Sequence, residues 1–184
     1  MNGNKRKRPN KSDIKRIRAY WSSDEGQARL EAIDEKLGTH IGVRVNLALS
    51  QSKSLCWSCL KPKSRRQRCH IIPDCCDGPA GEDNLILMCY GCHLDSPTVN
   101  HPDAIWVWMN EASLFPDEFQ TYLQRFIDQS NLTPEGIEQV LYHPDKSLLE
   151  VYPGAAGISV RSFYSIWVIE GRMLEESRPD LVKA

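Results

Sequence analysis

Over most of the chain apolar residues recur at helical spacing, and over three short stretches they alternate or run together, so the pattern predicts helices around a small β element. Ser12-Asp13 can open a helix through Tyr20 and Trp21. A second runs from Ser22 or Ser23 to Leu37, with Leu30, Ile33 and Leu37 on one face and Gly38 as its stop. Ile41, Val43, Val45 and Leu47 step by two, which predicts a strand. Cys69-His-Ile-Ile-Pro and Asn84-Leu-Ile-Leu-Met read as two strands of a hairpin, joined by a long loop, Asp74–Asp83, rich in Gly, Pro and Asp. A Tyr-Gly turn then leads into a short helix starting near His93 and limited by Pro97. Further helices are expected over Ala104–Asn110 behind Asp103, over 116–130, from Thr133-Pro134-Glu135 to Leu141, and over 159–177 after a turn-rich break at Gly154–Gly157. The fold class is α+β.

Charge divides the chain more sharply than composition does. Of 23 lysines and arginines 17 lie in residues 1–68, and of 24 acidic residues only 6 do, so a net charge of −1 hides a basic front and an acidic rear. Such a front suits nucleic acid. Residues 1–11, with Lys5, Arg6, Lys7 and Arg8 among Asn, Gly and Pro, read as a disordered basic arm; a cluster of this kind can equally act as a nuclear-localisation signal. Residues 12–54 follow as a helical basic extension, in which Lys15, Arg16 and Arg18 stand beside Tyr20 and Trp21, a mixture suited to phosphates and bases. Residues 99–184 form an acidic helical region that can brace the module before it or pair two copies as a homodimer. No apolar run approaches the ~18 residues of a membrane span, and the N-terminus is charged rather than signal-like. An intracellular protein is expected, cytoplasmic or nucleoid-associated, or nuclear in a eukaryote.

Candidate chemistry is concentrated in residues 55–98. Cys56/Cys59 and Cys89/Cys92 are two Cys-x-x-Cys pairs, the spacing by which two knuckles present four thiolates to one tetrahedral Zn2+. A site of four protein sulfurs is closed, so its zinc is structural, and a catalytic ion would need other residues. Seven cysteines, most of them in knuckle or site positions, fit zinc in a reducing compartment better than a disulfide framework. Cys75 and Cys76 are left over and read as incidental. Five cations, Lys61, Lys63, Arg65, Arg66 and Arg68, crowd the loop before Cys69 and His70, where they would position a phosphodiester backbone.

The order Cys-His-Ile-Ile-Pro (69–73), Asn-Leu-Ile-Leu-Met-Cys (84–89) and Cys-His (92–93), nested in paired cysteines, resembles the HNH endonuclease family. The resemblance covers about residues 55 to 98. It implies a ββα-metal core stapled by the four-cysteine zinc site and flanked by N- and C-terminal helices, with one catalytic divalent cation, Mg2+, Mn2+ or Ni2+. By it His70 is the general base, Asn84 braces the loop that orients His70, and His93 binds the cation. The residue types agree on their own account. Phosphodiester hydrolysis needs a base for water and a cation for the charge building on oxygen, and a histidine of ordinary pKa ~6.5 is available as a base near pH 7. The family commonly carries Asp or His just before the base, and Cys69 stands there. Cys69 is either a soft ligand, which would favour zinc-like ions, or a buried packing residue, with Asp95 as an oxygen ligand in its place.

Two functions are therefore expected to compete: a metal-dependent endonuclease cutting DNA, double-stranded, in a setting such as restriction or defence, and a non-catalytic zinc-stapled nucleic-acid-binding protein.

Overall fold

The computed structural model describes residues 11–51, 55–113, 119–142 and 159–184. Lys5, Arg6, Lys7, Arg8 and the break at Gly154–Gly157 lie outside the described residues. The chain divides into two compact units. The first runs up to His70 and again over Pro79–Leu94, and the second takes Ile71–Gly78 and Asp95 onward.

In the first unit, α1 (Lys11–Trp21) and α2 (Asp24–Leu37) form a tight helical corner. The Ser23 side chain caps α2 by accepting from the Gly26 N–H, and Gly38 ends it in the left-handed region at φ 64°, as the sequence signals predict. Gly26 is where the two helices meet: a Cβ there would lie 2.3 Å from the Tyr20 carbonyl oxygen, so no larger residue fits without moving backbone.

The strand expected from Ile41 to Leu47 is instead α3 (Ile41–Gln51). Apolar residues at every second position also satisfy a helix wherever i, i+4 and i+7 are apolar, and Ile41, Val45 and Ala48 are buried while Val43 is 70 % exposed. The start of α3 is fixed from outside its own segment. The Asp34 carboxylate, on α2, accepts from the backbone N–H groups of Ile41 (2.6 Å) and Gly42 (2.8 Å) and from the Thr39 hydroxyl (2.7 Å).

The sheet is a two-stranded antiparallel pair, β1 (Gln67–His70) and β2 (Leu85–Met88), with Cys69 opposite Ile86 and His70 opposite Leu85. All four residues of β2 are buried, as a continuous apolar run should be, whereas in β1 only Cys69 is. α1 packs on β2, and the Trp21 indole N–H donates to the Leu85 carbonyl at 2.8 Å. α4 (Tyr90–Asp95) follows directly, so Tyr90 and Gly91 are its first residues rather than a turn before it.

The second unit is helical: α5 (Ala104–Asn110), α6 (Phe119–Gln129), α7 (Pro134–Tyr142) and α8 (Val160–Ser177). α8 is its spine, in contact with the other three. Residues 104–109 are buried on every side of α5, which places Trp106 and Trp108 in the core, where the sequence puts them. The tail closes on the loop before α7: Thr133 N–H donates to Leu181 O and Lys183 N–H to Asn131 O, both at 2.7 Å. No helix of the described residues is long and apolar enough to cross a membrane.

Candidate functional site

The two cysteine pairs converge. The sulfurs of Cys56, Cys59, Cys89 and Cys92 all lie within 4.8 Å of one another, close to the ~3.8 Å edges of a tetrahedron of sulfurs around Zn2+ at ~2.3 Å. The first knuckle is a tight loop whose ends pair at Leu55 and Pro62, with Leu60 in the left-handed region at φ 55° and its N–H on the Cys56 carbonyl. Trp57 N–H donates to Leu87 O, which fastens the knuckle to β2, and Cys89 N–H donates to the Cys56 sulfur at 3.2 Å. Four thiols this close cannot ionise independently. The hydrogen bond from Cys92 lowers the Cys56 thiol to about 4, the same bond together with burial raises Cys92, and burial raises Cys59. Soft donors, tetrahedral spacing and an N–H to sulfur bond together suit an ion such as zinc.

Around this centre the hairpin places the remaining candidates. His70 is the last residue of β1 and is half-buried. Asn84 closes a short 3-10 turn, Glu82–Asn84, just before β2; it is buried, and its amide donates to the Pro79 carbonyl at 2.8 Å, within the segment that joins the strands. His93 lies on α4, and its Nδ1 stands 2.5 Å from Gln67 Oε1. An amide oxygen only accepts, so in this contact Nδ1 carries the proton, and Gln67 orients the imidazole ring. Sequence reasoning missed Gln67, because a glutamine three residues before a histidine carries no motif.

Cys69 is buried at 3 % exposure, faces Ile86 across the sheet, and has its sulfur 3.6 Å from the His70 carbonyl oxygen. The Asp95 carboxylate pairs with the Arg161 guanidinium at 2.9 Å. Among the described residues the four cysteines form the one group of three or more His, Cys, Asp or Glu side chains that could hold a metal.

The basic loop divides. Lys61, Lys63 and Arg65 are exposed, whereas Arg66 and Arg68 are half-buried. Arg68 is paired with Asp13 at 3.5 Å. Burial, and then the neighbouring Arg18, lower Arg66, one of whose guanidinium nitrogens is buried without a hydrogen-bond partner among the described residues. The helical cations serve the fold: Arg16 pairs with Glu82, Arg18 donates to the carbonyls of Ala48 and Leu49 at the end of α3, and Arg29 donates to the Asp83 carbonyl at 3.0 Å. Two of these cations therefore hold the turn that carries Asn84. Glu82-Asp83, an acidic pair facing a basic front, was the signal available for that.

Comparisons of the chain with known protein families, with curated proteins and with solved structures return no match.

Proposed function

We propose that the chain is a metal-dependent endonuclease of HNH type that hydrolyses phosphodiester bonds in DNA, with a zinc ion on Cys56, Cys59, Cys89 and Cys92 as its structural staple. In this reading β1, β2 and α4 are the ββα-metal core. The observation that carries it is the arrangement of three polar side chains around one hairpin: His70 at the end of β1, Asn84 bonded to the loop between the strands, and His93 on α4 with Nδ1 engaged by Gln67.

His70 takes the proton of the attacking water. Asn84 fixes the loop through Pro79, and with it the end of β1. His93 would hold the catalytic cation, with Cys69 on the neighbouring strand as the second candidate ligand; when bound, the cation offsets charge on the phosphoryl and leaving oxygens. Lys61, Lys63 and Arg65 would meet the phosphate backbone.

A second reading, a zinc-stapled DNA-binding protein without catalysis, is favoured by one observation: apart from the four cysteines, no group of three metal-ligating side chains gathers among the described residues. Incubating the zinc-loaded chain with supercoiled plasmid and Mg2+, Mn2+ or Ni2+ separates the two. Nicked or linear product that disappears in His70→Ala supports the nuclease. Plasmid retarded on a gel but intact with all three ions overturns it in favour of the second reading.

A further inference from the structure

Cys75 and Cys76 take no part in the four-sulfur centre. They lie in a short 3-10 turn, Asp74–Cys76, that is wound tightly: Cys76 and Gly78 N–H both donate to the Pro73 carbonyl, at 2.9 and 3.0 Å, and Asp77 ends the turn in the left-handed region at φ 57°. The turn closes on itself at Gly78, where a Cβ would lie 1.9 Å from the Ile72 carbonyl oxygen. In an extended strand adjacent side chains point to opposite faces; here the turn brings the two sulfurs to 4.0 Å. Of the seven cysteines, all within the described residues, Cys75 alone is exposed.

We infer that Cys75 and Cys76 are a site of reversible thiol oxidation, closing to a vicinal disulfide on reaction with a small disulfide oxidant. The exposed Cys75 thiolate attacks one sulfur of the oxidant, giving a mixed disulfide and releasing one thiolate. Cys76, the sulfur next to it, then attacks the Cys75 sulfur, forms the Cys75–Cys76 bond and expels the second thiolate. The pair gives up two electrons and two protons, and the oxidant becomes two thiols. Accessibility selects Cys75 over the other thiols: Cys56, Cys69 and Cys89 are buried, and Cys59 and Cys92 belong to the metal cluster. Adjacent Cα atoms stand ~3.8 Å apart, below the ~4.4–6.8 Å usual across a disulfide, so the eight-membered ring is strained and mild thiols reopen it. The bond is thus suited to cycling rather than to holding the fold.

The test uses the full zinc-loaded chain, oxidised glutathione as the probe, and mass spectrometry after cleavage at Asp74 and Asp77. The expected result is loss of two hydrogens from peptide 74–76 with zinc retained, reversed by dithiothreitol, and a stable glutathione adduct on Cys76 in Cys75→Ser or on Cys75 in Cys76→Ser. A lasting glutathione adduct on the native pair without loss of two hydrogens overturns the inference, as does release of zinc with cross-linking of the knuckle cysteines before peptide 74–76 changes. The readout is independent of DNA cleavage.

Discussion

In the first unit several of the ties that span the chain are polar and end on backbone. The Trp21 indole reaches the Leu85 carbonyl 64 residues away, Arg18 reaches Leu49, Arg29 reaches Asp83, and the knuckle hangs from Leu87. In the second unit, beside the backbone bonds of the tail, several are aromatic and close on side chains. Arg161 lies 3.8 Å over the Trp108 ring, Arg125 lies over Tyr164, and Phe126 packs against Trp167. Both units carry an apolar core. Residues 55–68 of the first unit contribute few apolar side chains, so their position rests on four sulfurs, and the contrast predicts different failures.

The largest effect should come from the sulfurs. Chelation, or Cys56→Ser, would remove an ion of a class whose binding contributes ~10–16 kcal/mol to folding of small modules. Hydrogen exchange should then show loss of protection at Trp57, Leu60 and Cys89 with α5 and α8 still protected. Equal loss in both units would erase the distinction.

Next in size is a change that should spare both units. His70→Ala should lower plasmid cleavage by ~10²–10⁴, the usual worth of a positioned base, with zinc content and melting unchanged. Single-turnover cleavage beside elemental analysis checks it, and cleavage at the native rate by the folded variant removes His70 from the proposed chemistry.

Arg161→Ala tests the other side of the contrast. It strips the ion pair from Asp95 and the cation from the Trp108 face, and should cost the second unit about 1.5–3 kcal/mol without altering zinc content. Urea titration followed by exchange at α5 and α8 reads the loss.

The smallest effect concerns a cap. Asp34→Ala leaves the Ile41 and Gly42 amides without their acceptor and should cost about 0.5–2 kcal/mol, seen first as faster exchange at those two amides. Unchanged exchange there would mean that α3 is held by its buried face alone.

Much of this was legible in the residues. Ser23 and Gly38 bound α2 because capping chemistry is local, and α6 through α8 follow the helical period because an amphipathic pattern leaves little choice. The paired cysteines were readable because ligand spacing is itself a geometry. α3 was not, since Ile41, Val43, Val45 and Leu47 satisfy both periods and the deciding group, Asp34, lies on another helix. The fates of Arg16, Arg18 and Arg29 were hidden for the same reason: a cation's partner is set by tertiary position, and a basic sequence looks the same whether it faces phosphate or its own backbone carbonyls.

The hydrogen bonds from Trp21 and Trp57 to Leu85 and Leu87 have a consequence for solubility. A two-stranded sheet has no interior strand, and Leu-Ile-Leu-Met is the kind of apolar, uncharged run that recruits a strand from another chain. The two tryptophans occupy alternate carbonyls of that run, one through its indole and one through its backbone, so an incoming strand finds the acceptors taken. Because the Trp57 bond depends on the knuckle keeping its shape, loss of the metal would expose a sticky edge as well as loosen the fold, and metal-starved protein should be lost to aggregation rather than linger as an unfolded monomer.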